Sequence, residues 1–215
     1  MNSRHAAVWT VVHHERAALV RSLETLGTEQ WAAPTACPGW DVHDVVAHLV
    51  DTAKTTRLSF VRDMVTARFD FDRQNEVGLA RERCEDPVDT LAALRAVVTH
   101  TSTPPAAIVT RLVEAFVHGE DIRRAVGLRG EYPVEQVAAA LTFQLRTTVK
   151  LGGGKERVSG LRLVSSDAAV DSGVGPEVRG SALSLLLAVS GRPVIPDELT
   201  GPGVATLIER VTSGR

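Results

Sequence analysis

Three consecutive glycines, Gly152-Gly153-Gly154, divide the chain into two textures and limit what it can fold into. Before them, apolar residues recur at three- and four-residue spacings. After them, the runs are short and broken by further glycines. Residues 5–26 place Ala7, Val11, Val12, Ala18, Leu19, Leu23 and Leu26 on a broad apolar helix face, with Gly27 as its stop. Asp41, with Asp44 three residues on, predicts the cap of a second helix from Val42 to the mid-sixties. Residues 68–86 lack a clean period and predict a loop or a short broken helix. Further helices are predicted over 88–99, from Thr103-Pro104 to Val126, and over 133–150. Beyond the glycines, Leu161, Leu163 and Val164 predict a strand and residues 167–180 short β pieces. A helix over 181–189 is stopped by Gly191, residues 193–203 form a loop, and a last helix covers 204–211. The expected class is α+β. A helical domain over 1–150 is followed by a small α/β domain over 151–215, with the glycine run as hinge.

Composition excludes several functions. Apolar residues make up 44% and aromatics 4%, so the core is aliphatic. A net charge of -2 offers no broad basic field, which argues against nucleic acid and anionic membrane as partners. No window approaches a membrane-spanning apolar run, and the start has no signal-peptide h-region. A cytoplasmic protein with Cys37 and Cys84 reduced is expected. Cys37, beside Pro38, reads as a packing residue rather than a nucleophile. Gly152-Gly153-Gly154-Lys155 lacks the spacing of a phosphate loop. Arg123-Arg124 and Arg81-Glu82-Arg83 read as solvated faces or salt-bridged helix ends.

One constellation points to chemistry. Glu114 and His118 are one turn apart on a predicted helix, so both side chains share a face with Arg111 and Asp121. Such a pair alone is more often a solvated surface pair. His48, however, lies in the most apolar stretch of another helix, where an inward imidazole needs a partner. Facing helices readily build a metal site in a bundle core. Two histidines and one carboxylate match a catalytic zinc set with an open fourth position, and also suit nickel, iron or manganese. Asp44, Asp51 and Asp121 are available to accept from the imidazole N–H groups.

The stretches Pro34-Thr35-Ala36-Cys37-Pro38-Gly39-Trp40-Asp41 through His48-Leu49, Glu114 through Ile122, and Ser184 through Pro193 resemble the mycothiol-dependent maleylpyruvate isomerase family. That family lies within the DinB-like metal-binding superfamily. The resemblance implies an antiparallel DinB-like four-helix bundle followed by a smaller α/β domain. It implies metal ligation by His48, Glu114 and His118, and matches Asp121 to the aspartate after the second ligand histidine. An arginine of the C-terminal part, Arg192 by its Gly191-Arg192 signature, is expected to hold an anionic or polar cofactor. The implied cofactor is mycothiol, a low-molecular-weight thiol that attacks a small electrophile, giving an isomerase or an S-transferase. Two alternatives stand beside it. One is a metal-dependent hydrolase of a small amide or thiol conjugate, with Asp121 or Glu120 as catalytic base. The other is a non-enzymatic metal- or ligand-binding stress protein. Gly119 and Glu120 depart from the family pattern beside the metal and predict an altered pocket. A monomer or homodimer is compatible with all of these.

Overall fold

The computed structural model describes residues 3–195 and 197–214. It has the expected α+β class and divides into two compact units, Met1–Gly130 and Glu131–Arg215. The first unit holds α1 (Ser3–Leu23), α2 (Thr28–Trp31), α3 (Val42–Lys54), α4 (Arg57–Thr66), α5 (Phe71–Glu82), α6 (Pro87–Ala96) and α7 (Thr110–Ala125). Both α1 and α3 pack on α6 and α7, so these four close into a ring. Ten of the thirteen α3 residues are buried, which makes it the central helix. Its Val42, Val45, Val46, Leu49 and Val50 join Leu19, Leu23, Trp31, Leu91, Leu94 and Ile122 in one apolar core. No described helix is long and apolar enough to cross a membrane.

Several boundaries differ from expectation, each for a local reason. Helix α1 ends at Leu23, and Gly27, with φ -78, precedes α2 instead of stopping α1. The second predicted helix breaks at Thr55 and Thr56. Thr55 is extended, and the Thr56 hydroxyl accepts the Ser59 N–H at 3.1 Å to start α4. Residues 71–82 form a helix despite their poor periodicity, because α5 buries Gln74 and Gly78 rather than an apolar stripe. A Cβ at Gly78 would overlap the Asp51 carboxylate, so glycine permits this close approach to α3. Arg81 then reaches Asp51 at 2.8 Å. Helix α7 begins at Thr110. Pro105 disfavours helical backbone at Pro104, and the Thr103 hydroxyl donates to the Pro104 carbonyl instead of capping.

In the second unit, α8 (Val134–Gln144) packs on α9 (Ala182–Val189), with a 3-10 turn at Val149–Leu151 between them in sequence. Strands β1 (Arg162–Ser165), β2 (Asp171–Gly173), β3 (Glu177–Gly180) and β4 (Leu199–Thr200) form a sheet in the order β2-β1-β3-β4, followed by α10 (Val204–Thr212). Among the described strands only β1 and β3 pair in parallel, with Leu163 opposite Val178, and α9 lies on both. The glycine run expected as a hinge lies inside this unit. Gly153 and Gly154 are buried, and a Cβ on either would overlap the Thr147 or Val189 backbone. These glycines serve close packing.

Two features of the first unit set its stability. In the turn Cys37-Pro38-Gly39-Trp40 the Trp40 N–H donates to the Cys37 carbonyl at 3.1 Å. Proline precedes a glycine at φ +79, as a type II turn requires. The Gly39→Ala variant is expected to lose about 1 kcal/mol of unfolding free energy, read by urea denaturation. Separately, Thr90 is fully buried between two partners. Its hydroxyl accepts the Cys84 N–H at 3.0 Å and so can donate its own proton to His43 Nε2 at 2.7 Å. Burial holds the His43 pKa below the ordinary 6.5, with Arg83 adding and Asp41, Asp44 and Asp86 opposing. The unfolded chain therefore gains this proton first on acidification, and native stability falls as pH drops through 6.5 toward the folded-state value. The His43→Gln variant is expected to show a shallower loss of stability between about pH 7 and pH 5. Parallel curves would remove His43 as the cause.

Candidate metal centre

Helix α7 carries Arg111, Glu114, His118 and Asp121 along one stripe, as their spacing predicts. The helix is buried on more than that face, since Leu112, Phe116, Gly119, Glu120, Ile122 and Arg123 are also covered. Each buried charge therefore needs a counter-charge. Arg124 meets Glu120 at 2.8 Å, and Arg123 lies 3.9 Å from Glu15 of α1. Of the two readings of this pair, a solvated face or a salt-bridged helix end, the second holds. Arg123 is 3% exposed, because α1 supplies an acid that sequence separation hides.

The centre of the stripe is His118. Its Nδ1 lies 3.0 Å from Asp121 Oδ2, one turn along the same helix. The Cys37 thiol donates to that same oxygen at 3.1 Å and sits 3.7 Å from His118 Nδ1. Burial opposes protonation of His118, but the hydrogen bonds to Asp121 and Cys37, together with the Asp121 charge, outweigh it and raise its pKa to about 9. On the other side, the His48 ring meets the His118 ring edge-on, with centroids 5.0 Å apart. Trp40 packs on His48 with centroids also 5.0 Å apart. The type II turn thus touches the pair twice, through Cys37 at His118 and through Trp40 at His48.

The structure brings His48, His118 and Asp121 together around this pair. Glu114 has two other partners. Its carboxylate lies 2.9 Å from Arg111 Nη1 and 3.9 Å from Arg16 Nη2. Burial lowers the Arg16 pKa and the Arg111 charge adds to this, while Glu114 opposes it. Among the described residues, the donors close enough to share an ion as they stand are Cys37, His118 and Asp121, within 4.8 Å of one another. Their short contacts are also complete as hydrogen bonds, with one carboxylate accepting from a thiol and an imidazole. Asp44 and Asp51 do not serve the imidazoles. Asp44 accepts nothing from them but closes a capping box with Asp41 and pairs with Arg83 at 3.2 Å, and Asp51 is held by Arg81. Arg192 belongs to the second unit, where its Nη1 donates to the Ser190 carbonyl at 3.1 Å.

The donor set suits a divalent first-row ion. Two imidazoles from different helices are in ring contact, and the Nδ1 of His118 is held by Asp121, which leaves Nε2 for a metal. Sequence reasoning missed Cys37. A cysteine in a proline-glycine turn carries no periodic signal, and only the fold shows which helix the turn covers.

Comparison with known proteins agrees with the helical unit. The sequence model described as the mycothiol maleylpyruvate isomerase N-terminal domain matches residues 12–123. Among curated proteins no match was found. Among solved structures, a mycothiol-dependent maleylpyruvate isomerase and a histidine-to-alanine mutant of such an enzyme match with a TM-score of 0.65. Each is 16% identical over 92% of both chains, which establishes a shared fold. The matched segment spans more than half of the 215 residues and contains Cys37, His48, Glu114, His118 and Asp121. The chain belongs to the mycothiol maleylpyruvate isomerase N-terminal domain family.

Proposed function

We propose that this protein is a metal-dependent enzyme that uses mycothiol to isomerise a small electrophilic substrate, with His48, Glu114 and His118 as the metal ligands. The observation that carries the reading is the edge-on contact of His48 and His118, with Asp121 holding the outer nitrogen of His118. Family membership and the shared fold support it. Zinc is the first candidate, because the set is two imidazoles and one carboxylate with room for a fourth ligand. When bound, the metal lowers the pKa of a thiol at the open position, and mycothiol supplies the sulfur whose addition, bond rotation and elimination give cis–trans isomerisation.

The protein's own residues provide orientation. Asp121 accepts the His118 Nδ1–H, which fixes the tautomer and the ring plane. It acts through His118 and is a positioning residue on this reading. Cys37 donates to the same carboxylate and holds it against rotation. Trp40 packs against the His48 ring. Arg111 and Arg16 hold Glu114 beside the stripe. Arg192 is the residue we propose for contact with the thiol cofactor. No protein nucleophile is required, since the cofactor brings its own. An S-transferase would use the same groups on a substrate with a leaving group. A hydrolase needs a free carboxylate beside the metal, and Glu120 is engaged by Arg124.

A second ligand set, Cys37, His118 and Asp121, is favoured by their close donor atoms. Two variants separate the sets. Under the first reading His48→Ala abolishes stoichiometric metal by elemental analysis, while Cys37→Ala retains it. The reverse pattern would assign the metal to the cysteine set. Glu114→Ala is a poor probe, because stripping its carboxylate from two buried guanidiniums costs about 3–5 kcal/mol in itself. The Asp121→Asn variant is expected to keep the fold and lose about 10- to 100-fold in metal affinity.

Thiol use is tested by calorimetry on metal-loaded protein. Mycothiol is expected to bind more tightly than its oxidised disulfide, and metal removal is expected to abolish the preference. Equal affinity for the two forms, with metal bound, would count against a metal-held thiolate.

A further inference from the structure

The buried charges around Glu114 do not balance. Arg16 of α1 is 4% exposed and Arg111 of α7 is 7% exposed, and they share the single carboxylate of Glu114. Arg16 Nη1 is satisfied by the carbonyls of His100 at 3.0 Å and Val97 at 3.5 Å. Arg16 Nη2, Arg111 Nε and Arg111 Nη1 are buried without a hydrogen-bond acceptor, and Glu114 meets the two guanidiniums as an ion pair only. Buried guanidinium groups normally have their donors met, because each unmet one forfeits its solvation. Two cations against one anion leave a local excess of positive charge beside Glu114. Trp9 lies 6.0 Å from the Arg16 guanidinium carbon and stacks on His13, so an aromatic wall shields one side.

We propose that Arg16 and Arg111 form an anion site that receives a carboxylate of the small molecule acted on. A carboxylate matches the observations in charge and in shape. It supplies the missing negative charge, and its two oxygens fit the planar forks of two guanidiniums. Arg111 and Glu114 are one turn apart on α7, and Glu114 is one turn before His118. An anion held by the arginines is therefore placed along the stripe that carries the proposed metal ligands. The anion site stands on the arginines themselves. Its assignment to the substrate rests on the function proposed above.

The probe is succinate, which carries two carboxylates and is not an electrophile, so its binding reports anion recognition without thiol chemistry. Calorimetric titration of succinate into wild-type protein, metal-loaded and chelator-stripped, is compared with titration of neutral succinamide. Succinate is expected to bind in both metal states and succinamide in neither. The Arg111→Lys variant, which keeps the charge and loses the fork, is expected to bind succinate about tenfold more weakly in the chelator-stripped protein, with its circular dichroism unchanged. Equal affinity of wild type and Arg111→Lys, or no binding to wild type, overturns the site. Binding that vanishes on stripping the metal places the carboxylate on the metal and overturns the arginine site while leaving the metal reading intact. Protein that takes up no metal yet binds succinate through Arg111 leaves the anion site standing and removes the metal reading. A crystal of wild type soaked in succinate needs no variant. Density bridging both guanidiniums supports the site, and density elsewhere or none opposes it.

Discussion

Helix α7 is charged along its length and buried on more than one face, and the helical unit is arranged around that condition. A charge taken out of water must be matched or it destabilises the fold by several kcal/mol. Here the matching partners come from elements far apart in sequence. Glu15 and Arg16 of α1 face Arg123 and Glu114. Cys37, in the turn before α3, faces Asp121. Within the helix, His118–Asp121 and Glu120–Arg124 close at three- and four-residue spacing. The apolar core explains why these helices collapse. The ion pairs explain why α1, the turn and α7 meet in one register, since a slip along any of them would leave a buried charge alone.

The turn at Cys37-Pro38-Gly39-Trp40 shows how a local backbone requirement becomes a functional one. Proline and glycine fix a tight reversal, and Pro34 and Asp41 form an isolated bridge across it. Thr35 fastens the same reversal, donating by N–H and hydroxyl to the Trp40 carbonyl. The rigid turn then holds a thiol and an indole at fixed separation against two histidines on different helices. Neither Cys37 nor Trp40 needs to bind a ligand to matter. They set the ring planes of His118 and His48, and a metal ligand is useful only when its ring plane is set.

Much of this was legible in the sequence because it depends on local spacing. Glu114, His118 and Asp121 had to share a face, and Asp41 with Asp44 had to cap α3. The class was legible from the change of texture near Gly152. What was hidden depends on tertiary approach. Helix α5 buries Gln74 and Gly78 against Asp51, a polar contact that leaves no apolar period. Gly153 and Gly154 looked like a hinge because composition cannot distinguish a flexible glycine from one crowded by a neighbouring backbone. Cys37 read as packing alone, and the acid that meets Arg123 was hidden, because their partners lie 84 and 108 residues away in sequence, at Asp121 and Glu15. Glu114 was legible as a ligand candidate with Arg111 on its stripe, but Arg16 of α1 was not.

Those arginines bear on how a site of this kind selects its reactants. A carboxylate that ligates a metal gives up part of its charge to that metal and has less to offer a guanidinium. With the proposed ligands, the set made of a divalent ion, two guanidiniums and the carboxylates of Glu114 and Asp121 carries an excess of two positive charges when both histidines are neutral. That excess lies in a setting that screens it poorly. A thiolate on the metal offsets one and a carboxylate on the arginines offsets the other. The charge imbalance therefore favours the pair of reactants over either alone, because the first anion to bind still leaves a charge for the second. An amine or a neutral thioether would leave the imbalance unrelieved. Discrimination of this sort needs no shaped pocket, only more buried positive charge than the protein itself neutralises.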